Sequence, residues 1–150
     1  MILHRLTAGK YAHDISGEGS RIYGGRFNPI GLATLYTSEN ISLCILEILV
    51  RASKTTSPDN YTLISIEITD NGISKIQLKK LKKGWQHDLD YTQGIGEDFL
   101  KENQSFCLEV PSAIVPQENN FLLNPLHPDF KKVKILSTEL LELDKRLFKI

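Results

Sequence analysis

The chain has 150 residues, with 41% hydrophobic and 24% charged residues, and its 18 Lys plus Arg balance 18 Asp plus Glu. This is the composition of an ordinary soluble globular chain, long enough to build one domain over residues 1–150 around its own core. A net charge of zero argues against a nucleic-acid binder, which needs a basic excess to neutralise phosphates.

Met1–Thr7 is predicted as a short strand. Ser16–Gly31 holds five glycines and a proline and reads as irregular backbone. Ala33–Thr37 is a buried strand. A helix follows over Glu39–Ala52, with Ser38 as its N-cap and Glu39 at the positive end of its dipole. Tyr61–Thr69 alternates, with Ile64, Ile66 and Ile68 on one face and Leu63, Ser65 and Glu67 on the other. Ile73–Leu78 is a further strand and Gly94–Asn103 a short helix. Ser105–Val115 is a strand that must change character at Pro111, because proline cannot donate to a ladder. Asn119–Phe130 reads as a strand and a Pro-interrupted loop, and Val133–Leu143 as the last strand or strands. Many strands with few helices, not in strict alternation, indicate an α+β fold. No repeat or low-complexity segment divides the chain. No apolar run reaches the ~18 residues of a membrane span, and the N-terminus has no long apolar stretch, so a cytoplasmic protein without a membrane partner is expected.

Glu47 is the first candidate for chemistry. Its helical neighbours are Leu43, Cys44, Val50 and Arg51, and a carboxylate on so apolar a helix is costly unless paired or hydrogen-bonded. Either it pairs with Arg51 at the edge of the core, or it projects into a cleft. Tyr36, at a strand end before the helix, is a core aromatic or a cleft residue. Gly24 and Gly25 allow close backbone approach, and Arg26 beside them can fork onto a phosphate. Ser112 follows the bend at Pro111. Asn119, Asn120 and Asn124 lie just beyond and read as turn residues. Lys79–Lys83 is a basic cluster that Asp88 and Asp90 balance as a solvated face.

Cys44 and Cys107 sit in apolar runs and read as buried free thiols. No CxxC or paired-His spacing suggests a metal, and His4, His13, His87 and His127 are scattered. These patterns give a cleft built from Arg26, Tyr36, Glu47 and Ser112, and no reaction.

The same segments, in this order, resemble the RES-domain family, named for an Arg, a Glu and a Ser. The pieces are "HRLT" with Arg5, "SGEGSRIYGGRFNPIG" with Arg26 and Asn28, "LYTSE" with Tyr36 and "LEILV" with Glu47. They continue with "VPSAIVPQENNFLLNP" holding Ser112, "HPDF" and "LDKRLF". Phe27 stands where the family more often has Trp, which keeps an aromatic. The resemblance implies an ADP-ribosyltransferase-like fold and NAD as substrate, with no metal. It implies catalytic roles for Arg5, Tyr36 and Glu47, and NAD contacts from Arg5, Gly25, Arg26, Asn28, Tyr36 and Ser112. It further implies a bacterial toxin paired with a helix-turn-helix, Xre-type antitoxin that blocks the NAD cleft, without nucleic-acid binding by this chain. The acceptor of the ADP-ribosyl group stays open between water, phosphate and a protein. Two other readings stand beside it: a nucleic-acid-acting toxin using the Lys79–Lys83 cluster, and a non-catalytic binding module in which Glu47 merely pairs with Arg51.

Overall fold

The computed structural model describes residues 1–51 and 60–148. Its strands are β1 (Ile2–Ala8), β2 (Leu35–Ser38), β3 (Tyr61–Glu67), β4 (Ile73–Lys75), β5 (Cys107–Pro111), β6 (Asn119–Leu123) and β7 (Lys134–Leu141). The helices are α1 (Glu18–Tyr23), α2 (Ile41–Arg51) and α3 (Leu89–Glu102), with short 3-10 turns between elements. All seven strands join one sheet in the order β4-β5-β6-β2-β1-β3-β7. Every pairing is antiparallel except β4 with β5. This is the expected α+β class, a mixed sheet with few helices.

Three apolar clusters hold the sheet. Leu3, Leu35, Ile64, Ile66, Phe106 and Phe121 form one. Phe27, Trp85, Phe99, Leu108, Val110 and Leu122 form the second, which seats α3. Leu6, Cys44, Tyr61, Leu63 and Leu143 form the third, which seats α2. β3 is therefore buried on both faces: Leu63, on the face opposite Ile64 and Ile66, packs under α2. Both cysteines are free and buried, as expected.

Several local expectations are corrected. The glycine-rich stretch contains α1, with Gly17 at its N-cap and Gly24 at its C-cap, both at positive φ. Ser38 does not cap α2: it is the last residue of β2, and its hydroxyl donates to Asn120 Oδ1 at 2.5 Å. Asn40 takes the cap position, its carbonyl accepting from Cys44 N at 3.1 Å, so Glu39 also lies before the first turn. The predicted end of that helix at Ala52 lies outside the described residues. β4 stops at Lys75, and a 3-10 turn over Leu78–Lys80 replaces the rest of the predicted strand. α3 starts five residues before the predicted Gly94, because Asp88 caps it by accepting from Tyr91 N at 3.0 Å. Asn119 and Asn120 open β6 instead of forming a turn. β5 ends on Pro111, where the missing donor is tolerated.

One topological feature positions the site. β1 and β2 are neighbours, but they share a single registered pair, His4 with Ser38. No registered pair joins Arg5–Ala8 to Leu35–Thr37, so the sheet splits there. β1 continues instead with β3 and β2 with β6, each over several residues.

Candidate active site

A cleft of about 480 Å³ opens at this split. Arg5 lines it from β1, Tyr36 from β2, Glu47 and Arg51 from α2, Asn120 and Leu122 from β6, and Gly24–Phe27 from the loop after α1. Its volume lies in the usual range for small-molecule sites, roughly 300–1,000 Å³. Among the described lining residues, three guanidiniums, Arg5, Arg26 and Arg51, face one carboxylate, Glu47. A cleft with that balance favours an anionic ligand carrying a locally cationic group.

Glu47 is the only acid on α2, and its carboxylate is held on one side. Oε1 accepts from Ser112 Oγ at 3.1 Å and from Asn120 Nδ2 at 2.6 Å. Among the described residues, Oε2 carries no hydrogen bond and is the oxygen left for the cleft. The expected alternative, an ion pair with Arg51, is not formed: no contact within 4.0 Å links the two groups. The Arg51 guanidinium instead sits over the Tyr36 ring, 5.5 Å from its centroid, at cation–π range.

Ser112 lies behind Glu47 and is 0% exposed. Its hydroxyl donates to Glu47 and accepts from Ile114 N at 3.1 Å and Val115 N at 3.2 Å. All its bonding capacity is taken up, so it touches the cleft only through the carboxylate.

Tyr36 and Asn28 form a second unit. The Tyr36 hydroxyl donates to Asn28 Oδ1 at 2.5 Å and accepts from Phe27 N at 3.0 Å. Asn28 is 0% exposed and donates from Nδ2 to the carbonyls of Ser20 at 2.9 Å and Leu32 at 2.8 Å. It holds the Gly-rich loop together and presents no free polar atom to the cleft. Burial pushes the Tyr36 phenol up to about 12, against the opposing pull of the Phe27 amide, Arg51 and Arg26, so it remains a donor. Gly25 must be glycine here: a Cβ would lie 2.6 Å from the Tyr36 hydroxyl and 2.8 Å from Asn28 Oδ1.

α3 carries the loop from outside. Thr92 Oγ1 donates to Arg26 O at 2.6 Å and Gln93 Nε2 to Gly25 O at 2.9 Å. The Arg26 guanidinium donates in turn to Gln86 O at 2.6 Å. Arg5, half-buried on β1, has a buried Nε with no partner among the described residues. Burial, first of all, lowers its affinity for a proton; Asp14 opposes that and Arg51 adds to it. An unpaired buried donor in a cleft wall is suited to an anionic ligand.

The structure thus brings Arg5, Gly25, Arg26, Tyr36 and Glu47 to one cleft, with Asn28 and Ser112 immediately behind it. Sequence reading missed Asn120, Thr92, Gln93 and Gly96. Asn120 was visible only as one of a cluster of asparagines, and nothing local linked the three α3 residues to the loop. Lys79–Lys83 does not line the cleft, and Lys82 pairs with Asp88. Among the described residues there is no metal-binding cluster of His, Cys, Asp or Glu, and no helix long and apolar enough to cross a membrane.

The chain is similar to known proteins along nearly its whole length. A family profile described as the RES domain matches residues 2–144. The chain belongs to the RES-domain family. A protein named Toxin Res from Photorhabdus laumondii is 39% identical over 135 residues, covering 88% of this chain and 86% of the relative. Toxin Res from Pseudomonas putida is 36% identical over 150 residues, covering 99% of this chain and 100% of the relative. The Prs ADP-ribosylating toxin of a Sphingobium species is 35% identical over 128 residues, covering 82% and 80%. A chain of the M. tuberculosis MbcT–MbcA toxin–antitoxin complex superposes with a TM-score of 0.73 at 21% identity, covering 98% of this chain and 86% of that one. The RES-domain fold described above is therefore shared with a solved toxin–antitoxin component, and the chain is a RES-domain toxin by family.

Proposed function

We propose that this RES domain consumes NAD by breaking the bond between nicotinamide and ribose. The observation that carries the reading is Glu47: a carboxylate fixed through one oxygen, in a cleft that otherwise presents three arginines. NAD has the complementary charge pattern, a cationic nicotinamide ring at one end and an anionic pyrophosphate in the middle.

Breakage of the C1′–N bond returns its electron pair to the ring nitrogen, which becomes neutral. Nicotinamide leaves without protonation, so no general acid is needed. C1′ is left as an oxocarbenium-like centre, as in glycoside hydrolysis. Glu47 Oε2 supplies fixed negative charge beside that centre, with no reorganisation at the moment of reaction. Tyr36 offers its ring to the nicotinamide and holds the bond in a reactive orientation. Arg5 and Arg26 bind the pyrophosphate, helped by amides of the Gly24–Phe27 loop. Ser112 and Asn28 act through Glu47 and Tyr36.

An attacking oxygen then bonds to C1′ and releases its proton to solvent. Water gives hydrolysis, phosphate gives phosphorolysis, and a protein side chain gives ADP-ribosylation. The name of the Sphingobium relative favours the last as a second reading. A toxin of this kind would be held in check by a helix-turn-helix antitoxin covering the cleft, in keeping with the toxin–antitoxin complex that shares the fold.

The test is nicotinamide release from NAD by folded protein, in buffer alone, with added phosphate, and with a cell extract that supplies protein acceptors. Release in any arm supports the reading, and the arm that accelerates it names the acceptor. No release in all three ends it.

A further inference from the structure

The Glu47 carboxylate is the last member of a chain that starts on another strand. Ser38 and Asn120 are directly opposite residues of β2 and β6. The Ser38 hydroxyl donates to Asn120 Oδ1 at 2.5 Å, and Asn120 Nδ2 donates to Glu47 Oε1 at 2.6 Å. Both spans are short for their donor types. The direction is forced by chemistry. A carboxylate only accepts, so the NH₂ end of the amide must face Glu47, and its carbonyl must then face a donor, which Ser38 supplies. Ser112 fills the remaining position on Oε1.

We propose that Asn120, oriented by Ser38, is a positioning residue for Glu47: it fixes which oxygen of the carboxylate faces the cleft and requires that Oε1 remain an acceptor. Ser112 acts in the same sense: with Ile114 N and Val115 N on its oxygen, its hydroxyl is left only to donate to Oε1. The amide, pinned at its carbonyl by Ser38, adds a second N–H donor from β6. The inference deepens the reading of Glu47 as the negative charge beside the ribose. It adds that this charge is enforced from the β6 side of the sheet and not by the arginines alone.

The charged and titratable groups that line the cavities around Glu47 are Arg5 from β1, Tyr23 from α1, Tyr36 from β2, Arg26 from the loop before it, and Cys44 and Arg51 from α2 itself. From the β5–β6 side the polar groups are neutral: Asn120 in the lining and Ser112 behind the carboxylate. Asn120 is therefore the place where a nearly isosteric change reverses the local electrostatics. In Asn120→Asp a second carboxyl adjoins Oε1, and repulsion between two carboxylates so close raises one apparent pKa of the pair.

The test follows the side-chain carboxyl signals of parent and Asn120→Asp by carbon-13 NMR as pH is raised, with kcat/KM for NAD measured over the same range. The expected result is a cleft carboxyl in the variant that titrates at least one pH unit above any in the parent, with the acid limb of kcat/KM displaced upward to match. No displacement of the carboxyl signal overturns the proposal. The NMR readout does not depend on turnover. A displaced signal in a protein that releases no nicotinamide sinks the NAD reading and leaves the positioning role standing.

A double-mutant cycle covers the case of a variant that does not fold. Ser38→Ala is expected to lower kcat about 3- to 10-fold with KM unchanged, the scale of one coupled hydrogen bond, and to cost nothing further once Asn120 is already Ala. Additive losses overturn the chain from Ser38 to Glu47.

Discussion

The carbonyl oxygen of Phe27 lies so close to Gly96 that a Cβ at that position would sit 1.4 Å from it. This contact seats the Gly-rich loop on α3, beside the bonds from Thr92 and Gln93. Gly96→Ala must therefore push the helix or the loop away. We expect a loss of at least about 2 kcal/mol, at the upper part of the usual range for overpacking, because backbone and not a flexible side chain must yield. In a chain of this size that lowers the melting temperature by roughly 4–8 °C. Thermal unfolding checks it, with Gly94→Ala as the control, since a Cβ at Gly94 meets nothing within 4 Å.

The hydroxyl and the ring of Tyr36 have separate tasks. Tyr36→Phe removes the donor to Asn28 Oδ1 and the acceptor for Phe27 N and leaves the ring in the cleft wall. We expect a loss of about 1–3 kcal/mol in stability, from buried groups left without partners, and an NAD turnover still within an order of magnitude of the parent. Tyr36→Ala removes both and is expected to lose turnover much further. Equal losses of turnover in the two variants would place the hydroxyl itself in the chemistry.

The same phenol predicts a dependence on pH. Its folded-state value, about 12, lies above the ordinary 10 of an unfolded chain. Raising an acid that is neutral when protonated stabilises the fold below about pH 10. That contribution is lost between pH 10 and 12, where the unfolded chain releases the proton and the folded one keeps it. Denaturant unfolding at pH 8 and pH 11.5 should show the parent losing more stability than Tyr36→Phe, by an amount on the order of 1–3 kcal/mol.

Glu47→Gln keeps an oxygen acceptor for Ser112 and Asn120 and places an amide where Oε2 faced the cleft. The fold is expected to survive, with a melting temperature within a few degrees of the parent. Nicotinamide release should fall by about 10²–10³, the usual effect of removing one preorganised electrostatic group. Full activity in this variant would remove Glu47 from the reaction.

What could be read ahead of the structure depended on the range of the signal. A carboxylate on an apolar helix is a local anomaly, so Glu47 stood out from its neighbours alone. Its partners did not, because Ser112 and Asn120 are 65 and 73 residues further along the chain. The strands β2, β3, β5 and β6 were found within a few residues of their true ends, since alternation and apolar runs are local patterns. α1 was hidden because its glycines read as irregular backbone, whereas Gly17 and Gly24 cap a helix. α3 was cut short for a related reason: Gly94 and Gly96 look like a boundary, yet Gly96 is required by a loop nearly seventy residues earlier in the sequence. The family resemblance implies an NAD contact for Asn28, and only its burial and hydrogen bonds show that its amide is engaged within the loop.

The distance along the chain between Glu47 and its amide partner also has a consequence in time. Glu47 emerges from the ribosome 73 residues before Asn120, which at synthesis rates of about 5–20 residues per second is roughly 4–15 s. β6 must then insert beside β2 before Ser112 and Asn120 can hold the carboxylate. A nascent chain carries Arg5, Tyr36 and Glu47 early but has no assembled site until Ser112 and Asn120, in its last third, have been made. The order of the strands thus keeps the cleft unassembled while most of the chain is being made.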